Sequence, residues 1–143
     1  MILPITLTIA GAAAMVNIWL MIRVGQVRTS EKVSVGDGGN EKVIRRMRAH
    51  ANYGESLPII LILIAVIELA TGSHTWLWIV GGLYMLGRIA HGVGMDGGKL
   101  GKGRTVGTIL TLLITLGLGA YAIAIPYFSA TDASTSPVTV QAG

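Results

Sequence analysis

Apolar residues gather in four long blocks, near residues 2–24, 43–70, 75–95 and 105–127, separated by short polar stretches. Each block reaches the roughly 20 residues that a helix needs to cross a bilayer. The pattern predicts an all-α membrane protein, a bundle of four transmembrane helices. It places one domain over residues 1–129 and a tail over 130–143, rich in Thr, Ser and Ala and expected to be disordered. The first block reads as a membrane helix and not as a cleavable signal, since no basic segment precedes it and the run is long enough to span. The second block is longer than a bilayer requires, so residues 43–55 should project past the hydrocarbon. Pro58 removes one hydrogen bond inside it and predicts a local kink. Pro126 is expected to end the fourth helix.

Composition supports the membrane reading. Hydrophobic residues make up 52% of the chain and charged residues 13%, and the mean hydropathy is +0.66. A soluble domain carries about 25% charged residues. Cysteine is absent, which excludes disulfides, thiolate metal sites and a cysteine nucleophile. Any thiol chemistry must therefore use a thiol that a ligand brings.

The net charge of +4 does not indicate a nucleic-acid partner. All eleven Lys and Arg lie in two windows, 23–48 and 88–104. Basic residues confined to alternate loops are the mark of membrane topology. The 25–42 and 96–104 loops are thus expected in the cytoplasm. The 71–74 turn and both termini are expected on the other side, where Trp76, Trp78, Tyr127 and Phe128 would form an aromatic belt.

Candidate chemistry concentrates where the second block begins. Arg48, Asn52 and Glu55 stand at i, i+4 and i+7, on one face of a helix. Arg48 offers a donor fork that fits a carboxylate. Asn52 offers a donor and an acceptor. Glu55 accepts only and suits an ammonium or a guanidinium. The three could hold a small zwitterion with carboxylates and an amine. They could equally join helices in a structural network, with Arg88 as the partner of Glu55. Arg88, His91 and Met95 share a face of the third helix, and the first two are expected to point into the bundle. Arg104 and Thr105 open the fourth helix, and an unpaired arginine there would favour a nearby thiolate. Residues 92–97, Gly-Val-Gly-Met-Asp-Gly, satisfy the letter of a dinucleotide fingerprint. They end a membrane helix instead of opening a helix after a strand, so the glycines read as a turn or as close backbone approach between helices. No zinc-type histidine spacing, no Ser-His-Asp set and no hydrolytic carboxylate pair is present, and no metal is expected.

These residues carry a family resemblance. Residues 25–28 (Gly-Gln-Val-Arg), 48–55 (Arg-Ala-His-Ala-Asn-Tyr-Gly-Glu) with Pro58, 88–91 (Arg-Ile-Ala-His) and Arg104-Thr105 follow in order. Over roughly residues 5–128 the chain resembles the membrane-associated proteins of eicosanoid and glutathione metabolism, and is most similar to their prostaglandin E synthase and glutathione transferase branch. The resemblance implies a homotrimer with glutathione in a cleft between neighbouring subunits. By position, Arg28, Arg48, His50, Asn52, Glu55, Arg88, His91 and Arg104 match polar residues that bind glutathione or shape its pocket. Arg104 matches the arginine held to stabilise the glutathione thiolate, and Thr105 falls where the prostaglandin enzyme has a serine. The family's tyrosines late in the third helix and early in the fourth are replaced by Met95 and Thr108.

The expected function is a membrane-bound glutathione transferase with a peroxidase activity as its variant, acting on a lipophilic electrophile from the bilayer. A non-catalytic lipid-binding scaffold of the same fold is the alternative, and the absent tyrosines favour it. A small transporter using Glu55, Glu68 and His91 as a proton relay is disfavoured, because the chain holds no inverted repeat.

Overall fold

The computed structural model describes residues 2–97 and 101–135. The described residues form four α-helices: α1, Pro4–Ser30; α2, Glu41–Thr71; α3, Thr75–Gly94; and α4, Lys102–Thr135. One 3-10 turn, Met95–Gly97, closes α3. Three helices, α1, α2 and α4, are long and apolar enough by length and composition to cross a membrane. Helix α3, which carries Arg88 and His91, is not among them. Its 20 residues still reach about 30 Å, the thickness of a hydrocarbon core.

Helical periodicity decides which face is hidden. On α1 the buried positions Ile5, Ile9, Ala13, Val16 and Leu20 recur every three or four residues. On α3 they are Leu77, Gly81, Tyr84, Met85, Arg88, His91 and Gly92. Ala49, Tyr53, Ile60, Ile64 and Ile67 of α2, Met95 of the 3-10 turn and Leu118 of α4 join the core. The other faces carry Met15, Ile18, Ile62, Leu83, Leu112 and Leu116, all exposed. Such faces would be a liability in water and are natural in lipid. Helix α4 is the most peripheral, with 6% of its most apolar window buried against 28% for α1.

Helix ends show how the bundle is fastened. Asn40 caps α2, its side-chain oxygen accepting from Lys42 N at 3.0 Å and Val43 N at 3.3 Å. Leu3 cannot cap α1. Glu68, near the far end of α2, does so instead: it accepts from Ile5 N (3.0 Å), Thr6 N (2.8 Å), Thr6 Oγ1 (2.7 Å) and Ser73 Oγ (2.7 Å). A carboxylate there satisfies free amides and faces the positive end of the helix dipole.

On the opposite end, Asp96 ties three elements. Arg46 of α2 donates to it at 3.0 and 3.1 Å, Arg23 of α1 donates as well, and Arg23 also reaches Gly92 O at 2.7 Å. Burial alone would raise the Asp96 carboxyl; the bonds and charges of Arg46 and Arg23 outweigh it and hold the group below the usual carboxylate range.

One expectation needs correction. Helix α4 does not stop at Pro126 but runs on to Thr135, into the stretch expected to be a disordered tail. The ring removes one backbone donor, and a helix can keep its course through that loss. The remainder of that tail, 136–143, lies outside the described residues. Helix α2 carries Pro58 inside it and is one helix from Glu41 to Thr71.

Candidate functional site

Helices α3 and α4 meet through glycine. A Cβ on Gly107 would lie against Gly87 O and 2.6 Å from His91 Cβ; one on Gly103 would lie 2.6 Å from Ala90 O. Only glycine lets the two backbones approach this closely. Gly103 and Gly107 are four apart and so face α3 together. This contact sets the first turn of α4 beside the last turns of α3.

A cleft of about 230 Å³ opens there. Arg48, Ala51, Asn52 and Glu55 line it from α2, and Arg104 and Thr108 from α4. His91 of α3 and Met95 of the 3-10 turn complete it. Five of the sequence-predicted residues thus share one crevice. Arg48, Glu55 and Arg104 are exposed to it, and none forms an ion pair among the described residues. His91 is 4% exposed, and its Nδ1 finds no hydrogen-bond partner among the described residues. Two cations, one carboxylate and an unsatisfied imidazole therefore converge.

Other predicted residues lie elsewhere. Arg88 does not pair with Glu55. It is buried behind the cleft and donates to Asn52 Oδ1 at 2.8 Å and to Thr111 Oγ1 at 3.2 Å. The reason is geometric: Glu55 lies on the open side of α2, whereas Arg88 faces inward. His50 turns toward α1, where its Nε2 meets Asn17 Oδ1 at 2.9 Å. Arg28 sits at the end of α1, with its Nη2 3.3 Å from Met47 Sδ, and lines a separate shallow groove with Lys32 and Ser34. Thr105 is exposed on the first turn of α4 and does not line the cleft. Glu68 is engaged by four donors at the other end of α2, about 20 Å along the helix from Glu55. That separation removes it from any relay with Glu55.

Sequence reasoning missed Thr111, which holds Arg88 from α4. Its spacing gave a signal: it stands seven residues after Arg104 and so shares its face. It also missed Tyr84 and Ser56, whose hydroxyls meet at 2.9 Å, and Tyr53, which donates to Ala13 O at 2.6 Å.

A bundle of membrane-length helices with a charged crevice at one end defines a class, the multi-pass membrane proteins. Residues 6–124 match the MAPEG family. The chain belongs to that family, whose members are oligomeric membrane proteins associated with glutathione and eicosanoid metabolism. It is similar to the inner membrane protein YecN of Escherichia coli strain K12, and to the protein of the same name in Escherichia coli O6:H1. Each is 33% identical over 67 residues, covering 46% of this chain and 50% of the relative. The chain thus spans about half the length of the curated relatives it matches.

Proposed function

We propose that the protein is a membrane-bound glutathione transferase whose site is the cleft between α2, α3 and α4. The observation that carries this reading is the convergence of Arg48, Asn52, Glu55, His91 and Arg104, none of them in an ion pair among the described residues. Glutathione carries two carboxylates and one ammonium, and the cleft offers two guanidinium groups and one carboxylate. Arg48 would hold a carboxylate, Asn52 and Glu55 the amino-acid end, and Arg104 the sulfur.

The chemistry follows from Arg104. The thiol proton leaves to solvent. The thiolate attacks an electrophilic carbon, a carbon–sulfur bond forms, and the leaving group departs with its electron pair. A free thiol has a pKa of about 8.5, and lowering it by ~2 units stabilises the anion by ~2.7 kcal/mol. Arg104 is exposed in the single chain, so its guanidinium would supply that much where a neighbouring copy closes the crevice to water. The same thiolate would reduce an organic hydroperoxide. Thr105, exposed on the first turn of α4, would assist only from outside the cleft lining.

The cleft is smaller than the roughly 300 Å³ at which small-molecule pockets begin. A second copy would supply the missing wall, which supports a homotrimer with glutathione between subunits. Arg28 and His50 face away from this cleft within their own chain and would serve such a site only from a neighbouring copy. The relatives' name supports an inner membrane location, and the basic 25–42 and 96–104 loops support a cytoplasmic cleft mouth.

A second reading, a lipid-binding scaffold without catalysis, is favoured by Met95 and Thr108, which bring no aromatic hydroxyl to the cleft. One experiment separates the two. The protein, purified in detergent, is assayed for glutathione conjugation to a chlorinated nitroaromatic and for hydroperoxide reduction. Arg104→Ala should lower turnover about 10²–10³-fold, as loss of one charge-stabilising donor does. Glu55→Ala should chiefly raise the KM for glutathione. Absence of activity together with absence of saturable glutathione binding would sink the transferase and leave the scaffold.

A further inference from the structure

Arg88 is 1% exposed, and no carboxylate meets it among the described residues. Its Nε also lacks an acceptor among the described residues, and the guanidinium lies 5.9 Å above the ring of Tyr53. An uncompensated charge inside a lipid-embedded bundle is costly. A packing role alone would be served better by methionine or leucine, so the charge calls for a further explanation.

The bonds of Arg88 supply one. A guanidinium only donates, so the atom of the Asn52 amide that meets Nη2 at 2.8 Å must be its carbonyl oxygen. The amide is planar, and fixing its oxygen fixes its nitrogen. Asn52 lines the cleft, and its Nδ2 has no partner among the described residues. The free group that Asn52 presents to a ligand is therefore a donor. Without Arg88, a half-turn of the amide would present either atom. Thr111 completes the device: its hydroxyl donates to Gly107 O at 2.8 Å and accepts from Arg88 Nη1 at 3.2 Å. One line of hydrogen bonds runs from α4 through α3 to the cleft wall on α2.

We propose that Arg88, steadied by Thr111, is a positioning residue that sets Asn52 as a hydrogen-bond donor and makes this end of the cleft selective for a ligand oxygen acceptor. The buried positive charge behind Asn52 further favours a carboxylate over a neutral carbonyl. This inference rests on the reading of the cleft as a glutathione site and assigns that site its acceptor-binding end.

The test is a double-mutant cycle read by calorimetric titration of the detergent-solubilised protein with glutathione. Arg88→Met preserves volume and removes the charge; Asn52→Leu preserves shape and removes the amide. Each should raise Kd about tenfold, the loss of one hydrogen bond with a charged partner. If Arg88 acts through Asn52, the double variant should be no more than about twofold weaker than the worse single variant. Arg88→Lys, which keeps the charge without the fork, should restore only part of the affinity. Thr111→Val leaves the charge in place and carries the test if Arg88→Met does not fold. It should raise Kd about threefold, with no effect in the Asn52→Leu background. A purely structural role for Arg88 would lower thermal stability and shift Kd equally in both backgrounds. Additive losses near a hundredfold, or an unchanged Kd in both Arg88→Met and Thr111→Val, overturn the proposal and leave the glutathione site standing. A wild-type protein that does not bind glutathione overturns both.

Discussion

Substituting alanine for Gly107 tests the contact that builds the cleft. The new methyl carbon would lie 2.6 Å from His91 Cβ, 3.0 Å from His91 N and against Gly87 O. Two of those three atoms are backbone and cannot turn aside. Carbon atoms rest about 3.5–4.0 Å apart, so α4 must retreat from α3 by about 1 Å. Overpacking of this kind costs about 1–3 kcal/mol. Alanine also favours a helix over glycine by up to ~1 kcal/mol, which would mask part of the loss. Gly117→Ala provides the control, because nothing lies within 4 Å of the methyl it would add. The propensity gain is common to both variants, so their difference isolates the clash. Thermal unfolding in detergent should place Gly107→Ala below Gly117→Ala by about 2–12 °C, at ~2–4 °C per kcal/mol. Arg104 stands about one turn away, and a displacement of about 1 Å at a reacting centre can cost 10²-fold in rate. Glutathione turnover of Gly107→Ala should therefore fall at least about tenfold while Gly117→Ala retains it. Equal melting temperatures for the two variants would refute close backbone packing as the feature that sets α4 on α3.

Other predictions follow from the same geometry. Glu68→Ala should destabilise the protein by about 2–4 kcal/mol in chemical unfolding, since it strips the donors of the α1 terminus of a charged acceptor; Glu68→Gln, which keeps one acceptor oxygen, should lose less. Asp96 has a lowered folded-state pKa, so its contribution is complete above the ordinary aspartate range and fades as pH falls through that lowered value. The stability gap between the wild type and Asp96→Asn should accordingly be full at neutral pH and close below about pH 4; a gap that widens on acidification would contradict the assignment. Arg104→Ala should move the rising limb of the pH–rate profile upward, toward the pKa of about 8.5 of a free thiol, and an unmoved limb would remove Arg104 as the group that favours the thiolate.

Much of this protein could be read along the chain. The four helices follow from the length of the apolar blocks, because a bilayer fixes that length and a helix satisfies its backbone internally. Arg48, Asn52 and Glu55 were legible as one face, since spacing on a single helix is a local property. Close backbone approach was one of the two readings that the glycines of residues 92–103 offered, the other being a turn; Gly107 was not singled out.

What spacing could not supply were relations between helices. Arg88 and Glu55 looked like partners by charge. The packing instead turned Arg88 inward to Asn52 and Thr111 and left Glu55 open to the cleft. Glu68, a proton carrier in the disfavoured transporter reading, is instead the acceptor for the first turn of α1. His50 and Asn52 are two residues apart and face different helices, His50 toward Asn17 of α1 and Asn52 toward Arg88 of α3. Hydrophobic periodicity tells a helix which face to bury, because the bilayer and the core reward that face uniformly. Which buried polar group meets which depends on crossing angle and axial offset. Those are fixed only when the helices close on one another, here through the glycine contact of α3 with α4.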